Sequence, residues 1–181
     1  TGHMKAFYEY FKKQKQWYDK TGDVWTFHQH AATLQCWFLS DKAERSAVEK
    51  DYAGALTSYN QALNVLVLVT ADFKELNAKA RDETSKINQA VKQVISNVYA
   101  SANDSIEKGD AALLAGNVDD AVRAYSSVKQ IVDTVPAEEG TLNAQKKKDM
   151  VAAAQNKIDE AEVQRKRLAQ QKSAPAAPAG G

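Results

Sequence analysis

Proline is the residue an α-helix tolerates least, and this chain of 181 residues carries three, at Pro136, Pro175 and Pro178. From Lys5 to Val135 nothing forbids helix, and Ala, Lys, Gln, Glu and Leu fill that span. The expected fold is therefore all-α, interrupted only where a glycine or a capping residue breaks an apolar stripe.

Phe7, Tyr10, Phe11, Trp17 and Tyr18 recur at three-, four- and seven-residue spacings while Lys12, Lys13 and Lys15 face elsewhere, which predicts an amphipathic helix. Lys20-Thr21-Gly22-Asp23 ends it, with Gly22 suited to the left-handed C-terminal position and Asp23 to capping the next helix. That second helix, Val24 to Leu39, is apolar on almost every side, with Trp25, Phe27, Leu34, Trp37 and Phe38, as buried helices are. Asp51 is the expected cap of a third helix carrying Ala55, Leu56, Tyr59, Ala62, Leu63 and Leu66. The run Val65 to Val69 reads as its continuation rather than as a strand, and Thr70 and Asp72 offer a new start. From Phe73 to Val98 the stripe continues, as one helix or as a hairpin turning at Asp82-Glu83-Thr84-Ser85. Further helices are expected over Ala102 to Ala115, ending at Gly116-Asn117, then through Ala121, Val122, Tyr125, Val128 and Val132 to Pro136. A last long helix places Leu142, Val151, Ala154, Ile158, Ala161 and Leu168 on one side, and the Pro/Ala/Gly run over 172–181 reads as a flexible tail.

Charge narrows the partners. A formal net charge of +1 carries no polyanion-binding signature, so no nucleic acid is expected. The longest apolar run, Val65 to Val69, falls far short of the ~20 residues that cross a bilayer, and no charged-then-apolar signal opens the chain. The single cysteine, Cys36, excludes an internal disulfide and suits a reducing, cytoplasmic setting. Residues Thr1 to Met4 read as a cloning remnant, and the sequon Asn103-Asp104-Ser105 lies inside a helical pattern.

Two stretches echo one another. DYAGALTSYNQALNVL, from Asp51, overlies NVDDAVRAYSSVKQIV, from Asn117, at an offset of sixty-six. Asp51 then matches Asn117, Ala55 matches Ala121, Tyr59 matches Tyr125 and Leu66 matches Val132; the same offset pairs Leu76-Asn77-Ala78 with Leu142-Asn143-Ala144. Register kept across a turn argues for internal duplication. Ala allows close helix approach and Tyr fills the space beside it, which is packing chemistry. Gly109, Gly116-Asn117, Ala121 and Tyr125 resemble the tetratricopeptide repeat, echoed by Ala43, Asp51-Tyr52, Ala55, Tyr59 and Ala62-Leu63. That resemblance implies about four hairpins turning at Gly22, Lys50, near Thr84 and at Gly116, close to the ~34-residue period. Asn88 and Lys92 stand where that repeat would have its Ala and Tyr. The same residues also resemble the MIT module, a three-helix bundle that binds short helical tails of membrane-remodelling proteins. Phe27 to Val98 and Ala102 to Leu168 would then be tandem bundles, with the two Leu-Asn-Ala triplets opening their third helices.

The domain organisation these patterns suggest is 1–4 remnant, 5–40 aromatic hairpin, 41–100 first helical unit, 101–171 second unit with the long C-terminal helix, and 172–181 tail. His28 and His30, two residues apart on a helix, point to opposite sides and cannot chelate one metal, with or without Cys36. No phosphate loop or nucleophile arrangement is visible, and Asp119-Asp120 and Glu138-Glu139 read as helix starts. No cofactor, metal or catalysis is expected. The expected function is a non-enzymatic adaptor or scaffold that takes a partner's segment in an interhelical groove. If the tetratricopeptide geometry holds, the groove residues are Trp37, Ser40, Glu44, Asn103, Ile106 and Asp110. The first helix, +3 over Lys5 to Lys20, offers Lys12, Lys13, Lys15 and Trp17 to an anionic membrane surface or to a partner, unless its stripe simply covers the second helix.

Overall fold

The computed structural model of the chain describes residues 2–21, 23–69, 74–136 and 142–173. They form α1 (Gly2–Thr21), α2 (Val24–Val48), α3 (Tyr52–Leu66), α4 (Lys74–Leu114), α5 (Val118–Asp133) and α6 (Leu142–Ser173), with no strand among the described residues. The protein is all-α, and adjacent helices pack as antiparallel hairpins: α1 on α2, α2 on α3 and α5 on α6. No helix among the described residues is long and apolar enough to cross a membrane. Two compact units divide between Ser96 and Asn97, inside α4, where the sequence suggested divisions after residues 40 and 100.

In the first unit, Ala32, Cys36 and Ala43 of α2 share one core with Ala55, Leu56, Tyr59, Ala62 and Leu66 of α3 and with Ala80, Ile87 and Val94 of α4. The seven-residue spacing of the α4 trio is the period that keeps one helix face inward. In the second unit Val98 and Ala102 of α4, Ala121, Tyr125, Val128 and Val132 of α5, and Ala154 and Ala161 of α6 are buried.

Local chemistry sets the ends. Asp23 caps α2 by accepting from the Thr26 N–H at 3.0 Å, and Asp51 caps α3 by accepting from the Gly54 N–H at 3.0 Å. Asn117 occupies the same place before α5 without a side-chain cap bond. α2 and α4 terminate identically. The Lys50 N–H donates to the Ala47 carbonyl (3.1 Å) and the Asp51 N–H to that of Ser46 (2.8 Å); the Gly116 N–H donates to Leu113 (3.0 Å) and the Asn117 N–H to Ala112 (2.9 Å). These are Schellman closures, and each needs a left-handed residue, supplied by Lys50 at φ 63° and by Gly116 at φ 79°. The two closures lie sixty-six residues apart, as do the starts of α3 (Tyr52) and α5 (Val118); α5 runs to Asp133, one residue longer than α3. The third helices keep a slightly different register: Ile87 and Val94 are answered by Ala154 and Ala161, sixty-seven residues on.

Several expectations need correction. α2 continues nine residues past Leu39, because Asp41 is buried with its carboxylate paired to Arg45 one turn on. The Val65 to Val69 run is not a strand, but only Val65 and Leu66 are helical; Leu68 and Val69 donate to the Val65 and Leu66 carbonyls in a turn. No turn occurs at Thr84, so Ala102 to Ala115 is not a separate helix and the four-hairpin spacing fails there. Lys86 bridges Asp82 (2.6 Å) and Glu83 (3.2 Å) along the helix, and Thr84 donates to the Ala80 carbonyl, so the polar cluster supports α4 rather than bending it. Leu142 and Leu168 lie outside the core, Leu142 being 90% exposed. Expectations for Gly22, Thr70, Asp72, Glu138, Glu139 and residues 174–181 fall outside the described residues.

Candidate functional site

The aromatic stripe of α1 meets α2 through Tyr10. Its hydroxyl is hydrogen-bonded to Nδ1 of His30, and its ring stands edge-on to Trp37 with centroids 5.4 Å apart. Burial pushes the Tyr10 phenol up to about 12 and holds His30 below the ordinary imidazole value, with the charge of Lys79 adding to the effect on His30. Both groups are therefore neutral at neutral pH. Trp37 is half-buried and Glu44 exposed, while Ser40 is buried one turn from Cys36. Burial raises the Cys36 thiol to about 11, which makes it a packing residue rather than a nucleophile. Phe38, next to Trp37, is 50% exposed.

In the second unit the positions sixty-six residues on from Trp37, Ser40 and Glu44 are Asn103, Ile106 and Asp110. Asn103 is exposed and Ile106 packs against the core. Asp110 accepts from the Tyr125 hydroxyl and from Lys157 Nζ, each at 2.6 Å. Those two bonds, that of Lys157 foremost, hold the Asp110 carboxyl below its usual range; burial, then the carboxylate, raises the Tyr125 phenol. Glycine at position 109 makes this possible. A Cβ there would lie 2.3 Å from the Tyr125 ring, so only Gly lets the ring seat against α4, where Gly costs about 1 kcal/mol of helix propensity. The first unit repeats the arrangement in part: Ala43 is buried where Gly109 stands, and the charge of Glu44, second to burial, raises the phenol of Tyr59. Lys157 has no counterpart there. Ala90 and Val91 of α4 occupy the places sixty-seven and sixty-six residues before it.

On α1, Lys12, Lys13 and Lys15 are exposed, Lys15 is bonded to Asp19 at 2.8 Å, and Trp17 is 36% exposed. At the start of α5 a shallow hollow is lined by Gly116, Asp119, Asp120, Arg123 and Arg165, and the pairs Arg165–Asp119 and Arg123–Asp120 neutralise it internally. No metal-competent group of three or more ligands occurs among the described residues. Sequence spacing did not single out His30, Phe38 or Lys157 as members of these arrangements; for Lys157 the available signal was a cation beside Ala154, Ile158 and Ala161 on the inner side of α6.

Compared with models of known families, with curated proteins and with solved structures, the chain matches none of them.

Proposed function

We propose that this chain is a non-enzymatic interaction module, an adaptor or scaffold, built from a three-helix unit duplicated at an interval of sixty-six residues. The matching Schellman closures and the Ala55/Ala121 and Tyr59/Tyr125 pairs support duplication. An unbroken α4 favours MIT-like three-helix units over two-helix tetratricopeptide units.

The observation that carries the binding reading is the surface of α2. Trp37 is half-buried beside Tyr10, Phe38 follows it half-exposed, and Glu44 and Val48 continue exposed along the Trp37 side. Aromatic anchors beside charge are the composition of binding hot spots, and an amphipathic helix laid along α2 would use Trp37 and Phe38 as anchors and Glu44 for register. The second unit offers Asn103 where the first has Trp37, so the first unit carries the apolar contact. The reading places the chain in a reducing, cytoplasmic setting, in keeping with its buried free thiol.

The test is selection of displayed amphipathic-helix peptides against the full-length chain. A shared consensus is expected to enrich, with affinity lowered on the order of 30-fold by Trp37→Ala and about ten-fold by the exposed Phe38→Ala, and unchanged by Asn103→Ala. No enrichment, or equal binding by all four proteins, would reject the module.

A further inference from the structure

One face of α6 lies outside its own unit's core. Ala154 and Ala161 are buried and Ile158 is half-buried, whereas Asn156, Asp159, Glu160, Val163, Lys166 and Arg167 are all exposed. Val163, 48% exposed, stands at the centre of that outer face. One turn before it come two acids, Asp159 and Glu160; one turn after it come two bases, Lys166 and Arg167. Positions three and four residues away on either side share a helix face with it, so the surface reads acid, apolar, base along the axis. Asp159, Glu160, Val163 and Arg167 line one open depression there.

Such a face is complementary to itself when turned end for end. About an axis at Val163, Asp159 comes opposite Arg167, Glu160 opposite Lys166, and Asn156 opposite Gln170, which are also exposed. A parallel arrangement would set acid against acid and base against base. We propose that α6 pairs antiparallel with α6 of a second copy of this chain, about a two-fold axis at Val163. The contact is isologous, as a two-fold interface requires. It spans residues 156–170, about 22 Å of helix, which buries less than the ~1,200 Å² of a standard stable interface. With one valine at its centre, charge sets partner and direction, and the dimer is weak and concentration-dependent. Asp159 also accepts from Gln155 on its own helix at 3.0 Å, an exposed bond that the pairing can share.

Sedimentation equilibrium of the full-length chain tests this. A monomer–dimer equilibrium is expected at low salt, weakening on the order of ten-fold between about 0.05 and 0.5 M salt. An all-basic face (Asp159→Lys, Glu160→Lys) and an all-acidic face (Lys166→Glu, Arg167→Glu) should each be monomeric alone. Mixed in equal amounts, the two variants should form a one-to-one dimer at least as tight as the wild type. Circular dichroism should show unchanged helicity, because all four side chains are exposed. A wild type that stays monomeric at every concentration, variants that dimerise alone as well as the wild type does, or a mixture that stays monomeric each overturns the pairing.

Discussion

Two single residues, Lys50 and Gly116, do the same backbone work at different cost. Both are left-handed, which a residue with a Cβ enters at a penalty of roughly 1–2 kcal/mol and Gly enters freely. Lys50→Gly is therefore expected to stabilise the chain by about 0.5–1 kcal/mol, offset in part by the freer unfolded chain, and Gly116→Ala to destabilise it by about 1 kcal/mol. Urea midpoints of the two variants against wild type measure both, and a destabilised Lys50→Gly would contradict the assignment. Gly116 is legible in the sequence as a helix stop; at Lys50 the repeat spacing offers a turn, but nothing in Glu49-Lys50-Asp51 announces that a lysine takes the left-handed position. Asp110 shows a second limit of the same kind. Its helix position is predictable, but its partners Tyr125 and Lys157 are fifteen and forty-seven residues away, and only packing reveals that it is engaged.

Among the elements, α1 depends on a contact that pH can weaken. His30 is neutral where it meets Tyr10, because burial first and the charge of Lys79 of α4 second disfavour its protonation. Because the folded state lowers the imidazole's affinity for a proton, its contribution to stability is fully present above the unfolded value near 6.5 and is lost as pH falls through it. Amide exchange protection in α1, corrected for intrinsic rates, is expected to fall between about pH 7.5 and 5.5 in the wild type and to fall much less in His30→Gln. Equal loss in both proteins would mean that the contact is not pH-linked. The helical character of every element was readable, as were the caps at Asp23 and Asp51, since both rest on local chemistry. Helix length was less so. The apolar pattern of the second helix gives out at Leu39 and Asp82 to Ser85 looks like a turn, yet Asp41–Arg45 and Lys86 with Asp82 and Glu83 stitch those turns into longer helices.

At the scale of the whole molecule, α4 gives its first part to one unit and its second part to the other. All three tryptophans, Trp17, Trp25 and Trp37, belong to the first unit, so indole fluorescence reports that unit while far-ultraviolet circular dichroism reports both. The shared helix predicts coincident urea transitions by the two probes in the wild type. Ser96→Pro, at an exposed position in mid-helix, should cost about 3 kcal/mol and separate them. Probes that already diverge in the wild type would show that α4 does not couple the units. That one helix continues through the division was not legible in the sequence, where Ala102 was expected to open a further helix.

The seat of Tyr125 has a consequence in time rather than in energy. Its ring lies against the bare backbone of Gly109, with no spare room on that side. For the ring to turn over about its own axis, α4 and α5 must part briefly and close again. The turnover rate of that one phenol is thus a clock for the breathing of the hairpin, running without any partner or ligand to wind it.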